Sequence, residues 1–323
     1  MRVLSGIQPS GRPHLGNYFG ALRQYINLQA GNDPFYFIAS YHALTAIQEP
    51  ELLREYTMGV AIDFLALGLD PKQAALFTQQ DVPEVTELTW ILSCVTPMGL
   101  LERAVSYKDK IAQGLSPNHG LFAYPVLQAA DILIYLSDLV PVGQDQKQHL
   151  EMTRDIAGKF NQQFEEVFVI PEPYILDSTA VVPGIDGRKM SKSYGNEIGI
   201  FEEGKALKKK VMSIVTDSAP VEAPKDPSRS TPFLLLKLFA SDEETAEWEA
   251  RYKAGGMGYG EVKKRLFQLI DEYFAPYRER RRELETDTDY VMDVLKEGGL
   301  RARAVAQQVM HRVREATGLR TTY

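Results

Sequence analysis

The sequence predicts an α/β fold, with a Rossmann-like parallel-sheet domain over residues 1–195 and an all-helical C-terminal domain over 196–323. Three observations carry this. From residue 1 to about 190, short β-branched runs alternate with longer helical patterns. After about residue 195 the strand signal disappears. In the last third, apolar residues recur at steps of three and four, the spacing of a buried helix face.

In chain order, "RVLSGI" (2–7) reads as the first strand, and it ends in "PSGRPHLGN" (9–17). There Gly and Pro mark a βα turn, and Asn17 is a good N-cap for the amphipathic run "NYFGALRQYINL". The same stretch admits a chemical reading. Its glycines let a ligand approach the backbone, a helix N-terminus offers N–H groups to an anion, and the His14 imidazole can donate to a phosphate oxygen. "PFYFIASYHALT" (34–45), "QAALFTQQ" (73–80) and "DLVPVG" (138–143) read as further strands. Helical patterns fill "PELLREYTMGVAIDFLALGL" (50–69), "EVTELTWILSCV" (84–95) and "LLERAVSYKDKIAQ" (100–113). In "GEVKKRLFQLIDEYFAPYRERRREL" (260–284), Val262, Leu266, Leu269, Ile270, Tyr273 and Phe274 share one helix face, and Val305, Val309 and Val313 repeat the pattern near the end. "GGMGYG" (255–260) follows no strand and matches no phosphate-loop spacing, so it reads as a helix connection.

Composition narrows the function classes. Apolar content of 44% and charged content of 24% are ordinary for a globular protein. No 18-residue apolar run occurs and the N-terminus lacks a signal-peptide core, so neither membrane insertion nor secretion is expected, and the cytoplasm is the expected compartment. The single cysteine, Cys94, excludes an internal disulfide and a multi-cysteine metal site; its apolar flanks predict a small buried hydrophobe. A net charge of −7 argues against indiscriminate coating of nucleic acid, yet basic residues gather locally in "KALKKK" (205–210), in "RERRRE" (278–283) and at Arg301, Arg303, His311, Arg312 and Arg314.

The second informative stretch is "DGRKMSKSYGNEI" (186–198). Lys189 and Lys192, three apart amid small and turn-forming residues, make a cationic loop suited to a polyphosphate. Five specified residues in the order Lys189-Met190-Ser191-Lys192-Ser193 arise by chance in a chain this long on the order of once in ten thousand sequences. In "YPVLQAADILIY" (124–135), Tyr124, Gln128 and Asp131 fall at steps of four and three, on one face of a helix. A carboxylate on an otherwise apolar helix is either a buried structural acid or a ligand for a polar group.

The turn "HLGN" and the loop "KMSKS" resemble the two signatures of class I aminoacyl-tRNA synthetases. Further stretches, "SGIQPSG", "HALT", "VPVGQDQKQHLEMTRDIA", "KKKVMSIVTDS" and "RARAVAQQVMHRVREATGL", are similar to the bacterial tryptophanyl family within that class. The resemblance implies ATP as substrate with Mg2+ carried on its phosphates, L-tryptophan and tRNA-Trp as partners, and a homodimer. It also implies that domain 1–195 is catalytic and that 196–323 binds the anticodon. Gln8, Pro9, Ser10, His14, Gly16 and Asn17 then line the ATP site. Gly143, Gln144 and Asp145 meet the ribose or adenine, Val182 packs near the adenine, and the Lys189–Ser193 loop covers the phosphates. Lys189, Lys192, Lys110 and His14 are the implied catalytic groups. Asp131 becomes the acceptor for the indole N–H, Tyr124 and Gln146 hold the α-amino group, and Gln128, His42, Val140 and Val142 complete the tryptophan pocket. No protein ligand for a metal is implied. The apolar helices from about Glu84 to Lys110, with Trp90, Ile91, Leu92, Met98 and Leu100, are the expected dimer interface or, alternatively, core.

Gln128 departs from the Met of many tryptophan enzymes, and tyrosyl enzymes place Gln three residues before their substrate-binding Asp, so tyrosine is the alternative substrate. A second departure, "ASYHALT", lacks the acid that relatives often place before the histidine. A tRNA-independent nucleotidylyltransferase and a non-catalytic RNA-binding paralogue are the other classes; the basic helical region argues against the first and the intact motifs against the second.

Overall fold

Strand β1 (Arg2–Ile7) lies at the centre of a five-stranded sheet ordered β3-β2-β1-β4-β5, with β2 at Asp33–Ile38, β3 at Ala75–Thr78, β4 at Leu139–Val142 and β5 at Glu172–Ile175. The computed structural model describes residues 1–104, 118–142, 147–175 and 181–319. Every pairing is parallel, and β1 meets β2 in a register running from Arg2 opposite Asp33 to Ile7 opposite Ile38. Parallel strands need crossover connections and are covered on both faces, which is why β2 and β3 are buried almost throughout. The sheet builds outward in opposite directions from β1 and β4. The switch point therefore lies between those strands, and ligands of α/β proteins bind at such a point beyond the carboxyl ends.

The described helices, in chain order, begin with α1 (Leu15–Asn17), α2 (Arg23–Asn27), α3 (Ser40–Ala43), α4 (Pro50–Ala66), α5 (Glu84–Ser93), α6 (Met98–Glu102), α7 (His119–Leu133) and α8 (Lys147–Gln163). They continue with α9 (Gly204–Met212), α10 (Thr231–Leu236), α11 (Asp242–Ala254), α12 (Tyr259–Thr286) and α13 (Thr288–Thr317). Among the described residues no helix is long and apolar enough to cross a membrane.

Two compact units emerge, and their boundaries correct the expected division at 195/196. One unit holds residues 1–11, 25–177 and 284–323; the other holds 12–24 and 178–283. In the first, sheet residues Leu4, Phe35, Phe37 and Phe77 share a core with Ala302, Ala306, Val309, Met310 and Val313 of α13. The last helix thus belongs to the sheet unit. Gly298 makes this possible, because a Cβ there would come within 2.0 Å of the Leu76 carbonyl oxygen on β3. The second unit buries the predicted face of α12, Val262, Leu266, Leu269, Ile270 and Phe274, with Tyr273 half-buried. "GGMGYG" joins α11 to α12, as the sequence predicts.

Four local features depart from expectation. The second strand stops at Ile38 and "SYHA" turns into the short helix α3, while the third strand stops at Thr78 and gives way to a 3-10 turn at Gln79–Asp81. Both endings are held by Gln79, whose side-chain oxygen accepts the Tyr41 backbone N–H (2.9 Å) at the start of α3. The edge strand β5 had no counterpart in the sequence reading, since four residues containing a proline carry little strand signal. Cys94, at the C-terminal end of α5, is exposed rather than buried.

Candidate active site

The signature turn and the signature loop, although distant in sequence, lie in the same unit. Leu15 donates its N–H to the Ile198 carbonyl (2.9 Å), and Ile200 donates to Pro13 (3.2 Å). His14, not Asn17, caps the helix. Its Nδ1 accepts the Asn17 backbone N–H (3.3 Å), while the Asn17 side-chain oxygen accepts the His14 N–H (3.1 Å). This reciprocal box moves Asn17 three positions into the helix, which passes through a π-helical turn at Tyr18–Leu22 before α2. Gly16 is required beside it, because a Cβ would stand 2.9 Å from the His14 ring.

The chemistry of His14 follows from this geometry. Burial, reinforced by the cations of Lys192 and Lys210 and opposed by Glu197, pushes its pKa down to about 4. The ring is therefore neutral at pH 7, and with Nδ1 accepting, the proton sits on Nε2, ready to donate to an anion. A stability consequence follows. Unfolded His14 takes up a proton below its ordinary value of 6.5 whereas the folded ring does so only near 4, so stability is lost as pH falls through that window. His14→Asn keeps an acceptor for the Asn17 N–H and removes this titration. Its urea midpoint is expected to fall less than the wild-type midpoint between pH 6.5 and 4.5, read by equilibrium unfolding at stepped pH; equal slopes would reject the assignment.

The loop carrying Lys189 and Lys192 is shaped by Asn196, which the sequence reading did not single out. The buried Asn196 amide donates to the Lys189 carbonyl (3.1 Å) and to the Asp186 carboxylate (2.7 Å), while its oxygen accepts the Ser191 N–H (2.8 Å). Met190 is buried and its N–H meets the Val182 carbonyl (2.9 Å); Val182 is buried as well. Ser191 caps the short turn Lys192–Tyr194 by accepting the Ser193 N–H. The backbone is thus fixed while Lys189, Lys192 and Ser193 are exposed.

In the sheet unit, Gln8 and Ser10 are exposed and Pro9 is buried just beyond the carboxyl end of β1. Asp131 on α7 is 2% exposed. His42 of α3 places Nε2 2.9 Å from Asp131 Oδ2, and the Gln79 amide donates to both carboxylate oxygens at 2.9 Å. Burial pushes the Asp131 pKa up, and the hydrogen bonds and charge from His42, with the bond from Gln79, act the other way. Two turns earlier on α7, the buried Tyr124 hydroxyl pairs with His149 Nε2 of α8 (3.0 Å). Gln128 is half-buried and Val140 is buried. Gln79 and His149 are the groups that the sequence reading missed here. Lys110, Gly143, Gln144, Asp145 and Gln146, and the side chain of Val142, lie outside the described residues.

The basic clusters look different in three dimensions. Arg303 pairs with Glu84 (2.8 Å), Arg314 with Glu87, Arg301 and Arg312 with backbone carbonyls, and His311 with Glu315. In α12, Arg278 pairs with Asp271, Arg280 with Glu283 and Arg282 with Glu203, and Arg281 covers the Phe201 ring. Of the third cluster, Lys210 pairs with Glu202, while Lys205, Lys208 and Lys209 are exposed on α9. Of the apolar residues expected at an interface, Ile91, Leu92 and Leu100 are core, whereas Trp90 is 73% and Met98 61% exposed.

Comparison with known proteins adds independent findings. Residues 1–275 match the family described as tRNA synthetases class I (W and Y). The chain is 58% identical to a tryptophan–tRNA ligase of Rhodopirellula baltica over 99% of this chain and 100% of that protein. A tryptophan–tRNA ligase of Fusobacterium nucleatum is 56% identical over 98% of each chain. The fold is similar to the crystal structure of tryptophanyl-tRNA synthetase from Campylobacter jejuni complexed with ADP and tryptophan, with a TM-score of 0.93, 50% identity, and coverage of 99% of this chain and 100% of that one.

Proposed function

The chain belongs to the class I tRNA synthetases that serve tryptophan and tyrosine, and from that premise we propose that it is a tryptophan–tRNA ligase. It condenses L-tryptophan with ATP to tryptophanyl-adenylate and pyrophosphate, then transfers the tryptophanyl group to the 3′-terminal ribose of tRNA-Trp. High identity to tryptophan ligases along the whole chain supports tryptophan over tyrosine despite Gln128.

In the first step a carboxylate oxygen of tryptophan forms a bond to the α-phosphorus of ATP, and the bond from that phosphorus to the bridging oxygen of pyrophosphate breaks. The α-carboxyl group has a pKa of roughly 3.5, so it is already a nucleophile at pH 7 and no general base is needed. What the protein supplies is orientation, and positive charge where the leaving pyrophosphate accumulates negative charge. His14 Nε2–H donates to a phosphate oxygen, and Lys189 and Lys192 neutralise the leaving group, with Lys110 assisting. ATP enters as its magnesium complex, the ion held by the phosphates; among the described residues no three acidic, histidine or cysteine side chains are grouped to hold a metal. Tyr124 receives the substrate ammonium and Asp131 the indole N–H.

One observation carries the amino-acid assignment: a buried carboxylate at the carboxyl edge of the sheet whose Oδ1, among the described residues, accepts from Gln79 alone and keeps a lone pair. The test is amino-acid-dependent exchange of pyrophosphate into ATP with tryptophan, tyrosine or neither. Exchange with tryptophan alone is expected. Exchange with tyrosine would make that the substrate, and none at all would leave the tRNA-independent transferase.

We further assign the contact with the phosphate backbone of tRNA to Lys205, Lys208 and Lys209, which share one face of α9. Replacing all three by Gln is expected to weaken tRNA binding about tenfold or more at 0.1 M salt and to flatten the salt dependence by up to ~3 units of slope, with tryptophan-dependent exchange as reference. An unchanged slope in a filter-binding titration would move the contact elsewhere. Exposed Trp90 and Met98 support a homodimer through α5 and α6, and the cytoplasm, where tRNA is charged, is the compartment this function requires.

A further inference from the structure

We propose that Gln79 is a specificity-determining residue, which selects for the indole N–H by fixing the lone pair that Asp131 offers to the ring. This deepens the assignment of Asp131 as indole acceptor and rests on it.

The two ends of the Gln79 amide are set by the backbone. Its Oε1 accepts the Tyr41 N–H (2.9 Å), and a carbonyl oxygen alone can do that, so Nε2 must be the end facing Asp131. From there it donates to Oδ1 and Oδ2, each at 2.9 Å. His42 Nε2 adds a second contact at Oδ2. Among the described residues, Oδ2 is therefore crowded by two partners, whereas Oδ1 accepts from Gln79 alone and keeps a lone pair. The choice between the two oxygens is made by neighbours and not by Asp131 itself.

Gln79 is also held firmly. It is buried and opens the 3-10 turn Gln79–Asp81. Asp81 ties that turn down by accepting the Thr78 backbone N–H (2.9 Å) and the Thr78 hydroxyl (2.6 Å), and Gln80 pairs with Ser40. A donor held this rigidly cannot follow a carboxylate that rotates, so it imposes one orientation. Without it, the carboxyl group can turn, and burial favours its neutral form, which can donate as well as accept. A site that both donates and accepts loses its reason to reject a ring lacking N–H.

The test compares tryptophan with its isostere β-(3-benzothienyl)alanine, in which sulfur replaces the indole N–H, by pyrophosphate exchange. For Gln79→Met the ratio of kcat/KM values for the two amino acids is expected to fall about tenfold, through the KM for tryptophan, with the KM for ATP unchanged. A purely structural role would depress both amino acids alike and leave the ratio at its wild-type value, which overturns the proposal. Gln79→Glu, which retains the acceptor for Tyr41 and removes the amide donor, gives the same readout if the Met variant does not fold. Asp131→Ala, which removes the acceptor altogether, separates the two ideas. If it leaves the ratio intact, the indole-acceptor assignment fails; if it collapses the ratio while both Gln79 variants preserve it, only the role of Gln79 fails.

Discussion

Asp131→Ala is expected to raise the KM for tryptophan by about 10²-fold or more while the KM for ATP changes less than about twofold. A hydrogen bond to a charged acceptor in a dry site contributes roughly 1.5–3 kcal/mol, and a site built to receive a substrate N–H is left with an unmet partner when that pairing is lost. The reference is internal, because the groups assigned to ATP lie elsewhere in the sequence. The change also strips the Gln79 amide and His42 of their acceptor, so a stability loss of about 1–3 kcal/mol per unpaired buried group should accompany it. Pyrophosphate-exchange kinetics give the KM split, and thermal denaturation gives the stability. Equal changes for both substrates would show that the acid is structural.

Lys192→Ala has the other large expected effect, and on a different parameter. Positive charge aimed at a developing anion acts in the transition state, so its removal lowers kcat more than it raises KM. The single-turnover rate of adenylate formation is expected to drop by about 10²–10³-fold, with the KM for tryptophan little changed. The loop backbone should survive, since Asn196 holds it through the Lys189 carbonyl and the Ser191 N–H. Rapid-quench measurement of adenylate checks the rate. A variant that keeps the wild-type rate would remove Lys192 from the phosphate chemistry.

The basic clusters show where sequence reading runs out. The charged letters of the three clusters say nothing about their partners, and Arg303 finds Glu84 219 positions earlier in the chain. A cation already neutralised within its own unit is a weak anchor for RNA, whereas the α9 lysines are ready to release counterions from a phosphate backbone. Helix α13 shows the same limit at the level of domains. Its amphipathic period was legible, but a period gives a helix an apolar face without saying which surface that face will meet.

The sequence by itself determined the parallel α/β architecture, most helices, the two signature motifs and the acid on α7, because periodicity and ordered motifs are written locally. Tertiary structure alone decided that His14 is neutral and carries its proton on Nε2, that Asn196 shapes the lysine loop, that the last helix joins the sheet, and that Gln79 and His42 orient Asp131. Burial and hydrogen-bond partnership arise between residues as far apart as Gln79 and Asp131, 52 positions, so no local window contains them.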